Sequence, residues 1–150
     1  MGIKEDYVKN GYVVVDDVVN KNEINEAVDL LVKMFKLQFT SISNNLEKAT
    51  KEAFASSQNK YLQTLKTFSK SLLIQKIFMN DIVVNRLREV GIKEISFPTQ
   101  PVSHMTCNDL LIDKDESLGI ESHQDWSSIQ GSLNSVVVWI PFTNVTINDH

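Results

Sequence analysis

Six consecutive residues gather the groups best suited to chemistry: Glu121-Ser122-His123-Gln124-Asp125-Trp126. In an extended strand, side chains two positions apart project to the same side. His123 and Asp125 would therefore present an imidazole and a carboxylate together, able to share one ion. Imidazole plus carboxylate with open positions is the start of the 2-His-1-carboxylate set that holds non-heme Fe(II) in oxygenases. The open positions matter, because oxygen and a co-substrate must both reach the metal. Taken alone, the tripeptide also fits an ordinary surface turn. Trp126, directly after the pair, is placed to line a substrate pocket, whereas Gln124 points away by strand alternation and reads as structural.

The remaining reactive side chains have plainer readings. His104, in Val102-Ser103-His104-Met105-Thr106, reads as a strand residue hydrogen-bonded to a neighbour. A cupin-like metal site built from His104, His123 and Asp125 is the other possibility for it. Cys107 is the single cysteine; it cannot form an internal disulfide, suits a reducing compartment, and behaves as a small buried hydrophobe. Lys48, Lys51, Lys60, Lys66 and Lys70 form a series that reads most simply as a solvated helix face. Trp139 reads as core.

The elements that must position these groups change character near residue 94. Before it, apolar residues recur at three and four; after it, short β-branched runs separated by turns take over. Tyr12 to Val15 reads as a short strand ended by Asp16-Asp17. Asn20 to Asn22 offers N-caps for a helix from about Glu23 to Phe39, with Ile24, Ala27, Val28, Leu31 and Phe35 as its apolar stripe. Residues 40–60 are polar and weakly periodic, a loop or a marginal helix. Two further helices are predicted at 62–78 and 81–90, the second capped by Asn80 and followed by Gly91.

Strands are predicted at 95–97 and 102–111, bent at Pro98 and Pro101, then at 119–125 after a polar turn, and at 135–142. In that last segment Val136, Val138, Ile140 and Phe142 face one way, and Val137, Trp139 and Pro141 the other. Both faces are apolar, as in a strand sandwiched within a core. A strand, then helices, then a run of strands predicts an α+β fold with helices packed outside an antiparallel sandwich or barrel. No internal repeat is visible.

The chain has 150 residues, enough for one domain, with a strand-plus-helix part over 1–93 and a strand part over 94–150. Hydrophobic residues are 42% and charged residues 23%, an ordinary globular composition. The net charge is −4, and only Arg86 and Arg88 are arginines. That balance argues against nucleic acid as a partner. No apolar run is long enough to span a bilayer, the N-terminus has no signal-peptide pattern, and Asp6 occupies the position where a myristoylation motif wants Ser or Thr. A cytoplasmic protein away from membranes is the default expectation.

Two stretches, in their order and spacing, carry a resemblance. The first is Tyr7-Val8-Lys9-Asn10-Gly11-Tyr12-Val13-Val14-Val15-Asp16-Asp17-Val18-Val19 with a helix-opening Glu23-Ile24. The second is His123-Gln124-Asp125, a polar gap, and Val136-Val137-Val138-Trp139-Ile140-Pro141-Phe142. Together they resemble phytanoyl-CoA dioxygenase-like proteins. The resemblance implies a double-stranded β-helix (jelly-roll, cupin-like) core that uses Fe(II), 2-oxoglutarate and O2. It implies His123 and Asp125 as the first two iron ligands. It also implies hydroxylation of a small organic substrate while 2-oxoglutarate is decarboxylated to succinate. Asn108 would touch the 2-oxoglutarate carboxylate, as polar residues there do in some relatives, or else simply form a turn beside Asp109. Asp125 disfavours the halogenating variant of this chemistry.

The family pattern also has a later histidine and, shortly after it, an arginine for the distal carboxylate of 2-oxoglutarate. Neither has a matching place here. His150 follows His123 too soon, His104 precedes the pair, and Arg86 and Arg88 lie in a predicted helix before the strands. The expectation is therefore a jelly roll incomplete at its C-terminus that holds part of an active site, with unpaired strand edges able to self-associate. A non-catalytic jelly-roll remnant, acting as a binding or interaction module, is the alternative.

Overall fold

The computed structural model of the chain describes residues 2–97, 100–105 and 135–145. Six helices account for most of them: α1 (Ile3–Asn10), α2 (Lys21–Gln38), α3 (Leu46–Ser56), α4 (Gln58–Ser69), α5 (Leu72–Phe78) and α6 (Asp81–Val90). Their ends are set by short polar side chains. Asn20 opens α2, its Oδ1 accepting the Asn22 amide at 2.8 Å, while Glu23 reaches back to the Asn20 amide at 3.3 Å. Asn45 caps α3 by accepting the Lys48 amide at 3.1 Å, which makes a helix of a stretch too polar to announce one.

Ser57 stands in extended backbone between α3 and α4 and caps the second through the Lys60 amide at 3.4 Å. Ser71 divides the helix expected over 62–78. Its backbone is extended and its Oγ accepts the Ile74 amide at 3.4 Å, so α5 starts afresh. Asn80 does the same for α6, accepting the Val83 amide at 2.9 Å. Gly91 closes α6 at φ +123°, a conformation that side chains with a Cβ rarely adopt.

α2 is the organising element and packs against α3, α4 and α5; α4 in turn touches α3 and α5, and α1 pairs with α6. The core is made between helices. Ala27, Leu31 and Phe35 from α2 meet Ala49 and Ala53 of α3, Tyr61, Leu65 and Phe68 of α4, and Ile74 and Ile77 of α5. The alanines of α3 allow its backbone close to its neighbours. Phe35 stacks on Tyr61 with ring centroids 5.8 Å apart, and Phe54 meets the Tyr61 edge at 5.4 Å.

The remaining described segments run irregularly over this helical body. From 100 to 105, Pro101, Ser103 and Met105 are half-buried while Gln100, Val102 and His104 are exposed. From 135 to 142, Val136, Val138, Ile140 and Phe142 are half-buried, and Ser135, Val137, Trp139 and Pro141 are exposed. Met105, Ile140 and Phe142 rest on the helical core, with Phe142 edge-on to Phe68 at 6.3 Å.

This corrects the expected architecture. The described residues are helical, with no strand or sheet among them, and do not form an α+β jelly roll. The expectation of strands rests on short β-branched runs bounded by turns, which favour extended backbone. A strand also needs a neighbour for its backbone hydrogen bonds. Here the inward side chains of 100–105 and 135–142 pack on helices instead, so the alternation survives as alternate burial without a ladder. The layering is also inverted: the helices supply the core and the extended segments lie outside it. Tyr12 to Val15 has the same alternation and likewise forms no strand; Tyr12 and Val14 are exposed. The N-terminal residues before it form α1, which the pattern did not predict. The outer face of 135–142 is open, with Trp139 72% exposed, where the sequence predicted a strand covered on both sides.

Candidate functional site

The residues singled out by type and spacing fall in two groups. His123, Asp125, Asn108 and Trp126 lie outside the described residues, as do Cys107 and His150. His104 is described: it is exposed, and its side chain belongs to the rim of an open cleft of about 870 Å³ between α4 and the 100–105 segment. Among the described residues no three His, Cys, Asp or Glu side chains gather to hold a metal ion.

The cleft exists because the 100–105 segment is pinned to α4 at two points. At one, Ser69 is buried and its Oγ lies 3.0 Å from the Leu65 carbonyl, 3.0 Å from the Ser103 amide nitrogen and 2.8 Å from the Ser103 hydroxyl. A hydroxyl has one proton and two lone pairs. Ser69 thus donates to Leu65 and accepts both the amide and the hydroxyl of Ser103. At the other point, the Tyr61 hydroxyl donates to the Met105 carbonyl at 3.4 Å, and the Met105 sulfur sits 3.6 Å from the Thr50 hydroxyl. The Gln75 amide donates to the Ser69 carbonyl at 3.3 Å, which satisfies one of the carbonyls left open at the end of α4.

Between these pins the walls are apolar, formed by Leu62, Phe97, Val102 and Met105. The α4 side of the rim carries Lys66 and Lys70. Lys66 and Lys70 lie on the solvated helix face that the lysine series predicts, and local sequence pattern does not reveal the cleft beside them. It could not, because the cleft joins residues 34 to 44 positions apart in the chain. The one available signal was the i, i+4 spacing of Lys66 and Lys70, which puts both on one side of a helix.

No protein-family model matches this chain. No curated protein matches it, and no solved structure matches it. Among the described residues no helix is long and apolar enough to cross a membrane.

Proposed function

We propose that this chain carries part of the active site of an Fe(II)- and 2-oxoglutarate-dependent dioxygenase that hydroxylates a small organic substrate. The reading is carried by one observation, the sequence His123-Gln124-Asp125 set in a resemblance whose motifs are the stretch from Tyr7 to Val19 with Glu23-Ile24 and the stretch from His123 to Phe142. The donor chemistry fits the ion: an imidazole nitrogen and a carboxylate oxygen are two of the three ligands of the non-heme iron set. The third ligand, and a cation for the distal carboxylate of 2-oxoglutarate, have no match in these 150 residues.

In this reading His123 holds the metal through a neutral ring nitrogen and Asp125 through its ionised carboxylate. Both must be free of the competing proton, so metal affinity falls as pH drops through the histidine range. Held by His123 and Asp125, ferrous iron would supply, with 2-oxoglutarate and O2, the chemistry that couples decarboxylation to hydroxylation. In the same reading Asn108 would hydrogen-bond the co-substrate carboxylate and Trp126 would line the substrate pocket. A reducing cytoplasmic setting suits a ferrous site and a single free thiol.

The test is an anaerobic titration with Mn(II) as a spin-active probe of the Fe(II) site, followed by loss of its free-ion resonance. His123→Ala and Asp125→Ala are each expected to weaken binding at least about tenfold, and His104→Ala to leave it unchanged. Equal affinity in all four proteins refutes the reading and leaves a non-catalytic binding module. Loss on His104→Ala replaces it with the cupin-like ligand set.

A further inference from the structure

The cleft on α4 has chemistry of its own. Lys66 and Lys70 stand one helical turn apart at the C-terminal end of α4, both exposed. Neither is ion-paired among the described residues, where the carboxylates found in ion pairs, Glu47 and Glu89, serve Lys51 and Arg86. None of the described side chains lining the cleft is acidic. Lysines near a helix C-terminus also complement its dipole, which accounts for their positions but not for the apolar walls beside them. Phe97 is 45% exposed and Val102 68% exposed, both in the cleft, so uncovered apolar surface runs alongside two positive charges that have no ion-pair partner among the described residues.

We propose that this cleft binds an amphipathic organic carboxylate of the fatty-acid kind. The tail lies on Leu62, Phe97 and Val102, and the head group is held between Lys66 and Lys70. The lysines set the sign of the ligand's charge, and the walls require that the charge come with an apolar tail. A small inorganic anion would leave those walls in water, and a cationic amphiphile would meet two like charges. Gln75 spends one amide proton on the Ser69 carbonyl and has one N–H left to donate to a ligand oxygen. The volume, about 870 Å³, lies within the range of small-molecule sites. The site involves neither His123 nor Asp125, so it stands or falls apart from the iron reading.

Calorimetric titration of the metal-free chain with submicellar decanoate tests it, with decylamine and 2-oxoglutarate as the cationic and tailless controls. Decanoate is expected to bind, and the two controls to bind at least about tenfold more weakly. Lys66→Gln/Lys70→Gln should weaken decanoate about tenfold, and Lys66→Arg/Lys70→Arg should retain it. Val102→Glu, at an exposed position, should abolish binding without shifting the thermal midpoint. Equal binding of decylamine, undiminished decanoate binding by the double glutamine variant, or no decanoate binding at all overturns the proposal.

Discussion

Phe35 and Trp139 report which layer is the core. Phe35 on α2 is 0% exposed, stacked on Tyr61 at an interplanar angle of 7° and tilted against Phe39 at 6.4 Å. Truncating a fully buried phenylalanine costs about 3–5 kcal/mol through lost burial and the cavity left behind. Trp139 is 72% exposed, and replacing so open a side chain changes stability by about 0.5 kcal/mol or less. With a urea slope of about 1.5 kcal/mol/M, Phe35→Ala lowers the unfolding midpoint by about 2–3 M. Trp139→Ala moves it by at most about 0.3 M on the same slope. The assay is urea unfolding followed by far-ultraviolet circular dichroism. Phe35→Leu, costing about 1 kcal/mol, keeps the comparison measurable if the alanine variant is unfolded in buffer. A Trp139→Ala cost equal to that of Phe35→Ala would falsify the helical-core account, because it requires the 135–142 segment to be covered on both faces.

Further expectations concern the joints between elements. Asn80→Ala removes the cap of α6 and the bonds its amide makes to the Ile77 carbonyl at 2.9 Å and the Val18 carbonyl at 3.4 Å; it should cost about 1–2 kcal/mol, with Asn80→Ser recovering much of it in the same urea titration. Ser69→Ala strips the Ser103 amide and hydroxyl of their acceptor, so it should cost about 1–2 kcal/mol and speed hydrogen exchange at the Ser103 amide; unchanged exchange there would count against the pinning of the 100–105 segment. Gly91→Ala forces a Cβ into φ +123° and should destabilise by about 1 kcal/mol or more, read as a lower thermal midpoint.

Local chemistry was legible in the sequence where it acts within a few residues. Asn20, Asn80 and Gly91 mark helix ends because capping needs only a side chain and a neighbouring amide. The stripe of Ala27, Leu31 and Phe35 faces the core because a period of 3.6 leaves no other choice for so apolar a face. α3 was harder to see, since its buried residues are Ala49, Thr50 and Ala53, which carry a weak hydrophobic signal. Strand pairing was not legible at all. The runs at 102–105 and 135–142 are extended in sequence character. With apolar residues on both faces of 135–142, and Val102 exposed beside a half-buried Ser103, the pattern says neither which side turns inward nor whether helix or strand receives it. The cleft was invisible for a related reason: Ser69 meets Ser103 and Tyr61 meets Met105 across long stretches of chain. His123 and Asp125, by contrast, were found through types and spacing alone, and they rest on that footing.

The separation between Tyr61 and Met105 has a kinetic side. α2 to α5 follow one another along the chain and pack on near neighbours, so their contacts close small loops and form early. The segments around Met105 and Phe142 join only after much longer loops close, each at the entropic cost of its length. Contact order therefore predicts a helical nucleus first and the outer segments afterwards. In the finished protein the same hierarchy sets the cheapest opening: residues 100–105 can lift from α4 while Phe35 and Tyr61 stay stacked. A molecule seated against that segment would slow the lifting far more than it slows global unfolding.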